Sequence, residues 1–267
     1  MCIIVNGDVF MIKSVEKCMK IMTIISNGRN KPVSLTKISD ISGLPKPTCM
    51  HIISTLLNDG FVEKISHTEG YVLGPSAYYL TRFGTYNQGF VTVCRPVSQW
   101  LYKQVKQPIV LSVIQGNKKY VIDRIPSDYY AAANEDILSD DIYRTATGRC
   151  ILANMSDADI ERIWSLYGPP TERDALPNIN SLDALKKQLK KYKTLNYIST
   201  ETNERSCKLY GYAIPIFEHY ECIGALGVAA RCEYSNIENF LKEEEPKIIA
   251  ALTRATKEIN RRLRYNA

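Results

Sequence analysis

The chain has 267 residues, 45% hydrophobic and 23% charged, which is enough for one large domain or two ordinary ones and too apolar for a disordered polypeptide. Its 34 Lys and Arg stand against 28 Asp and Glu, a surplus of +6 that is compatible with a polyanionic partner without demonstrating one. No run approaches the roughly 20 apolar residues of a membrane span. The first eleven residues carry an apolar patch at 2–5 but neither a basic start nor a secretory core, so a soluble cytoplasmic protein is expected.

Eight cysteines stand at 2, 18, 49, 94, 150, 207, 222 and 232, without a CxxC pair. The three histidines, His51, His67 and His219, are widely separated, so a zinc site lacks its usual ligand spacing and no metal is expected. Scattered thiols in apolar contexts serve as small buried hydrophobes. A thiol-redox sensor using Cys207, Cys222 or Cys232 is the alternative.

Along the chain, Val15, Cys18, Met19, Met22 and Ile25 recur at helical spacing, and Asn27-Gly28 closes that first helix. Ser34 can cap a short second helix with apolar positions Leu35, Ile38 and Ile41, ended by Gly43 as a left-handed cap. A third helix over 45–58 places Cys49, Ile52, Ile53, Leu56 and Leu57 on one face. Strands follow at 61–65 and 70–73, joined by the polar turn Ser66-His67-Thr68-Glu69. Helix, helix, turn, helix, hairpin is the order of a winged helix-turn-helix, here 11–74, with the motif itself at about 35–54.

A helical linker over 75–90 is expected next, with Pro96 at a helix start or a kink. The periodicity then changes. Strands are predicted at 109–114 and 119–125 around Gln115-Gly116-Asn117, helices at 145–155, 157–167 (capped by Ser156) and 182–195, strands at 210–217 and 222–232, and a long closing helix at 240–263. Strands interleaved with helices over 91–267 make an α+β sensor-like domain.

Five elements in order carry a family resemblance. They are Lys13-Ser14-Val15-Glu16-Lys17, the recognition-helix segment from Gly43-Leu44-Pro45-Lys46-Pro47-Thr48 to residue 57, and the wing with Gly60-Phe61-Val62 and Tyr71-Val72-Leu73-Gly74. Thr145-Ala146-Thr147-Gly148-Arg149-Cys150-Ile151-Leu152-Ala153 follows, and then the late strands with Ala213-Ile214-Pro215-Ile216-Phe217 and Ile223-Gly224-Ala225-Leu226. From Met11 onward the chain resembles the IclR family of bacterial transcriptional regulators. The resemblance implies a winged helix-turn-helix joined by a helical linker to a GAF-like α/β effector-binding domain, in homodimers or homotetramers. It implies double-stranded operator DNA and a small-molecule effector as partners, with no cofactor.

With its apolar stripe inward, the third helix leaves Lys46, Pro47, Met50, His51, Ser54 and Asn58 outside. Lys46 lies in the first turn, where free N–H groups and the positive helix end favour a phosphate. Thr48 can donate to a phosphate or base edge, or cap its own helix. Met50 can meet a thymine methyl, and His51 can donate to guanine or phosphate or simply stand in solvent. The candidate DNA-contacting set is Ser34, Pro45, Lys46, Thr48, Met50, His51 and Lys64, with His67 beside it on the wing. Two residues depart from the family pattern: Pro47 where Ser is usual, and His51 where Arg is usual. The first removes an N–H and the second a permanent charge, so electrostatic anchoring weakens. Residues 1–75 hold eight Lys and Arg against six acids, only +2 of the total surplus. Two heads of a dimer acting together would supply the missing affinity. The five lysines within 186–193 read as a solvated helix face.

For the effector, the resemblance points to Ala146, Thr147 and Gly148 opening a helix, whose first-turn N–H groups can receive a carboxylate. It adds Glu201 and, on the late strands, Gly211, Gly227 and Ala229. Tyr129 and Tyr130, in the loop after the second predicted strand, could cover or line the pocket. The same small residues serve tight helix-to-sheet packing equally well. Gly227 and Ala229 replace polar or serine positions, Tyr143 stands near a usual His, Asp141 near a usual Pro, and Lys208 replaces a common Gly. A roomier, less polar site for a sugar acid or aromatic acid is expected. No GxSxG, HExxH, P-loop or GxGxxG occurs, and Cys150 with His219 is the one remaining nucleophile–base pairing, so no enzyme is expected. A ligand-controlled regulator, more specifically a repressor, is the reading that follows.

Overall fold

The computed structural model describes residues 4–5, 8–9, 12–28, 31–66, 70–81, 87–126, 138–139, 142–204 and 207–265. Contacts divide the chain into two compact units, Met1–Gly84 and Thr85–Ala267. Tyr129, Tyr130, His67 and Asp141 lie outside the described residues.

The first unit opens with a short ribbon, β1 (Ile4–Val5) against β2 (Asp8–Val9), followed by α1 (Lys13–Ser26). α1 buries Ile21, Ile24 and Ile25, while Val15 and Met19 are 51% and 56% exposed, contrary to the expected stripe. The core partners of α1 cover its C-terminal half only, so the apolar positions of its first turns stay outside.

α2 (Leu35–Ser42) starts where Ser34 Oγ accepts from the Lys37 N–H at 3.3 Å and ends at Gly43, whose φ of +67° is the left-handed cap. Its inward positions are Ile38 and Ser42, whereas Ile41 is exposed. A step of four residues from Ile38 lands on Ser42, which repeats the buried direction better than a step of three. The buried hydroxyl of Ser42 is used: it accepts from the Leu44 N–H at 3.2 Å and donates to the Ser39 carbonyl at 3.3 Å. Ser39 Oγ donates to the Leu44 carbonyl at 2.7 Å, so the turn into the next helix is fastened from both sides.

α3 (Lys46–Asn58) buries Cys49, Ile53 and Leu56, with Ile52 and Leu57 half-buried. β3 (Val62–Ser66) and β4 (Gly70–Leu73) form the antiparallel wing, and Val33 bridges to Tyr71. α4 (Pro75–Leu80) is tied back to the end of α3: the Ser76 N–H donates to the Gly60 carbonyl and Ser76 Oγ to that of Asp59. The 75–90 stretch read as a linker therefore contains a helix hydrogen-bonded into the first unit and the opening turn of the next helix.

That helix, α5 (Gln88–Val105), carries Pro96 in its interior rather than at its start. Thr92 and Pro96 are both exposed, so water can serve the carbonyl that the ring deprives of its partner. The strands β5 (Ile109–Gln115), β6 (Lys118–Ile125), β7 (Leu138–Ser139), β8 (Ile198–Asn203), β9 (Cys207–Glu218) and β10 (Glu221–Glu233) form one antiparallel sheet in the order β7-β6-β5-β10-β9-β8. On one face lie α5 and the closing helix α10 (Glu245–Tyr265), which follows the short α9 (Ile237–Asn239) and a π-helical turn at Phe240–Glu244. On the other lie α6 (Ala146–Leu152), α7 (Asp157–Tyr167) and α8 (Leu182–Lys193).

Alternation along the central hairpin sorts side chains by size. Tyr212, Ile216, Leu226 and Val228 face α5 and α10, and Ala213 and Ala225 face α6. The result is a GAF-like α/β/α layering, with large residues filling one core and small ones letting α6 approach on the other.

Candidate DNA-reading face and effector site

In the first unit, Lys46, Pro47, Met50, His51, Ser54 and Asn58 are all exposed and Thr48 is half-buried. The N-cap of α3 is Pro45 and its second residue is Pro47, so neither supplies an N–H; Cys49 N–H already bonds the Pro45 carbonyl. Of the four end donors of an ordinary helix, only those of Lys46 and Thr48 remain for an anion. Met50 is steadied from the wing, because the Tyr71 hydroxyl donates to its sulfur at 3.6 Å. Ser34 is spent on its cap, and Lys64 is exposed on β3. The residues proposed to touch DNA are thus exposed except for the half-buried Thr48, and Ser34 has a local structural task.

In the second unit, Ala146, Thr147 and Gly148 open α6 and are buried. Thr145 caps the helix, its Oγ1 accepting from the Gly148 N–H at 3.1 Å. The same oxygen accepts from the ammonium of Lys119 at 2.9 Å, and Lys119 is only 5% exposed. Ser112 Oγ donates to Thr147 Oγ1 at 3.2 Å. A buried cation and three hydroxyls therefore meet at one end of α6, a grouping that sequence spacing did not reveal. Lys119 carries no local signal, since an alternating strand would ordinarily turn a lysine outward.

The glycines explain how close α6 lies. A Cβ at Gly227 would come within 2.6 Å of Thr147 Cγ2, and one at Gly211 within 2.6 Å of Thr200 Oγ1 and 3.3 Å of Ala146 Cβ. A Cβ at Gly148 would meet the Ile142 carbonyl. These three positions serve close packing, the plainer of the two expected roles. Thr200 shares the face of Gly211, so alternation puts Glu201 on the opposite face, where it pairs with Lys208 at 3.2 Å above Tyr210. Glu201 and Thr200 both line a cleft of about 1360 Å³ along the edge strand β8, together with Arg144, Arg149, Asn178 and Glu245. Ala229, half-buried, sits opposite Gly211 on β10.

The match of two family models decides the family. The IclR helix-turn-helix domain matches residues 14–66, and the bacterial transcriptional regulator IclR C-terminal domain matches residues 85–261. The chain belongs to the IclR family. It is 24% identical to the HTH-type transcriptional regulator XynR of Escherichia coli over 91% of this chain and 97% of that one. It is 20% identical to the transcriptional repressor IclR of Escherichia coli over 82% and 80%. An IclR homologue from Microbacterium hydrocarbonoxydans, solved in complex with 4-hydroxybenzoate, shares the fold at a TM-score of 0.68, with 18% identity over 94% of this chain and 99% of that one. The protein is accordingly a DNA-binding transcriptional regulator and not an enzyme.

Within this IclR-family chain, Arg149 occupies the motif position after Gly148 and is 5% exposed. Its guanidinium donates to the carbonyls of Tyr143 (2.6 Å), Asp174 and Ala175 (3.2 Å) and to the Tyr192 hydroxyl (3.4 Å). Burial pulls its pKa down, while Tyr192 and Asp174 favour the charge. Its donors are committed to fastening the 174–175 segment, which makes it a structural cation. Tyr143 belongs to the same core, its hydroxyl donating to the Gly168 carbonyl and pushed up to about 12 by burial. Cys150 is buried in the α6 core, whereas His219 is exposed in the β9–β10 turn, so burial separates that nucleophile from its proposed base. Among the described residues no cluster of His, Cys, Asp and Glu could hold a metal, and no helix is long and apolar enough to cross a membrane.

Proposed function

We propose that this regulator is a repressor whose operator affinity is set by a small carboxylate, a sugar acid or aromatic acid, received by the second unit. DNA reading is carried by one observation: α3 buries its apolar stripe and presents Lys46, Met50, His51 and Ser54 beside the wing. Repression is supported by a relative named as a repressor, and a carboxylate by the homologue bound to 4-hydroxybenzoate. The active species is a cytoplasmic homodimer or homotetramer, since one head with two phosphate-ready N–H groups binds weakly alone.

Duplex binding by the full chain should weaken steeply with salt, and Lys46→Ala should make its slope shallower by about 0.9 in log K per log salt. An unchanged slope would sink the proposed face. Thermal-shift screening of acidic metabolites should find stabilising carboxylates. Stabilisation only by neutral ligands would refute the carboxylate.

The thiol alternative has less support. Burial pushes Cys222 up to about 11 and raises Cys232, which disfavours the reactive thiolate. Replacing Cys207, Cys222 and Cys232 with Ser should leave effector-responsive DNA binding intact.

A further inference from the structure

Outside residues 1–75 the basic surplus is concentrated on two helices, α8 and α10. α10 buries Ile248, Leu252, Ala255, Ile259 and Leu263 and exposes Lys247, Arg254, Lys257, Arg261 and Arg264. Steps of seven, three, four and three residues keep the five cations on one outward stripe. Two carboxylates answer this stripe: Glu244 pairs with Lys247 at 3.0 Å, and Glu258 stands one four-residue step from Arg254. Glu258 answers Arg261 through two bonds of 2.8 and 2.9 Å and Arg262 through one of 2.8 Å.

Favourable placement near a helix C-terminus accounts for Arg261, Arg262 and Arg264, because that effect fades beyond the last turn. It does not account for Arg254 and Lys257, which stand farther back. Arg254 is held in place, its guanidinium 5.1 Å from the centre of the Trp100 ring on α5. Lys257, Asn260, Arg261 and Arg264 together line a shallow cavity of about 510 Å³. The Asn260 carbonyl oxygen accepts from the Phe217 N–H at 3.1 Å, which leaves its amide NH2 as the outward group. The cavity therefore offers donors and positive charge. Ten residues of helix span about 15 Å, the run of about four phosphates of one DNA strand.

We propose that this face of α10 is a second contact for the phosphate backbone of duplex DNA, independent of base sequence. The proposal rests on the DNA-binding reading but on a different surface. It predicts that the C-terminal unit adds salt-dependent affinity that residues 1–75, at +2, lack.

The test uses the full chain and a mixed-sequence 24-base-pair duplex, titrated by fluorescence anisotropy from 50 to 200 mM salt. The triple variant Lys257→Gln, Arg261→Gln, Arg264→Gln should make the slope of log K against log salt shallower by about 2.7, roughly a 40-fold smaller loss of affinity over that range. The single variant Lys257→Gln, which removes only an exposed side chain, should account for about 0.9 of it. A control removing the same charge from α8, by Lys187→Gln, Lys190→Gln and Lys191→Gln, should leave the slope in place. The proposal is overturned by an unchanged slope in the α10 variants, or by an equal loss in the α8 control. It is also overturned if the α10 variant loses binding to phosphatidylserine vesicles while its duplex slope holds. The Lys46→Ala slope is read separately: its loss beside an unchanged α10 slope retains the α3 face and removes this second contact.

Discussion

Arg149 shows how much a single buried side chain can hold. Three carbonyls from two segments converge on its guanidinium, those of the buried Tyr143, the half-buried Asp174 and the exposed Ala175, and removing it takes a donor from each. Arg149→Met should cost roughly 3 kcal/mol or more in the C-terminal unit, read as a lower urea midpoint, whereas Arg149→Lys should recover only part of the loss. A midpoint unchanged by Met would show that water already serves those carbonyls. On the DNA side, the informative residue is His51, exposed on α3. His51→Arg restores the charge usual in the family and should steepen the salt dependence of duplex binding by about 0.9. If the slope does not move, His51 lies off the phosphate path.

Between elements, the controlling quantity is how near α6 comes to the sheet. Gly227 gives Thr147 its room, so Gly227→Ser must move Thr147 or lift the helix. A loss of about 1–3 kcal/mol is expected in thermal unfolding, together with a weaker carboxylate shift. A fully stable Gly227→Ser would mean that Thr147 simply rotates away. In the first unit the comparable joint is the α2–α3 turn, where Gly43 adopts φ of +67° in open space. Gly43→Ala meets no neighbour, yet should cost about 1 kcal/mol through the left-handed backbone alone. The helices and the wing were legible in the sequence because their apolar spacing is regular and their caps are chemically distinct. β8 was not: Ile198-Ser199-Thr200-Glu201-Thr202-Asn203 is a polar edge strand, paired on one side, with little hydrophobic alternation to betray it.

For the whole molecule, two compact units with separate cores predict two heat-unfolding transitions in the full chain. A stabilising carboxylate should raise the transition of the Thr85–Ala267 unit and leave that of the winged unit where it is. A single transition shifted as one body would show the two cores to be coupled thermodynamically. The modest total charge of +6 takes on a pattern at this scale, with an outward cationic stripe on α10 and little excess on the head that reads DNA.

Local chemistry was sufficient for the class of the protein. Helical periodicity, the Ser34 and Gly43 caps and the motif from Thr145 to Ala153 are written in neighbouring residues, so the winged helix-turn-helix and the sensor domain could be read from them directly. The site could not, because its residues meet only after the sheet pairs. Strand alternation sends Glu201 away from Gly211 and keeps Thr200 beside it. Folding turns Lys119 inward onto Thr145. Which polar group faces a ligand and which faces solvent depends on the pairing of distant strands, and no short stretch of sequence carries that information.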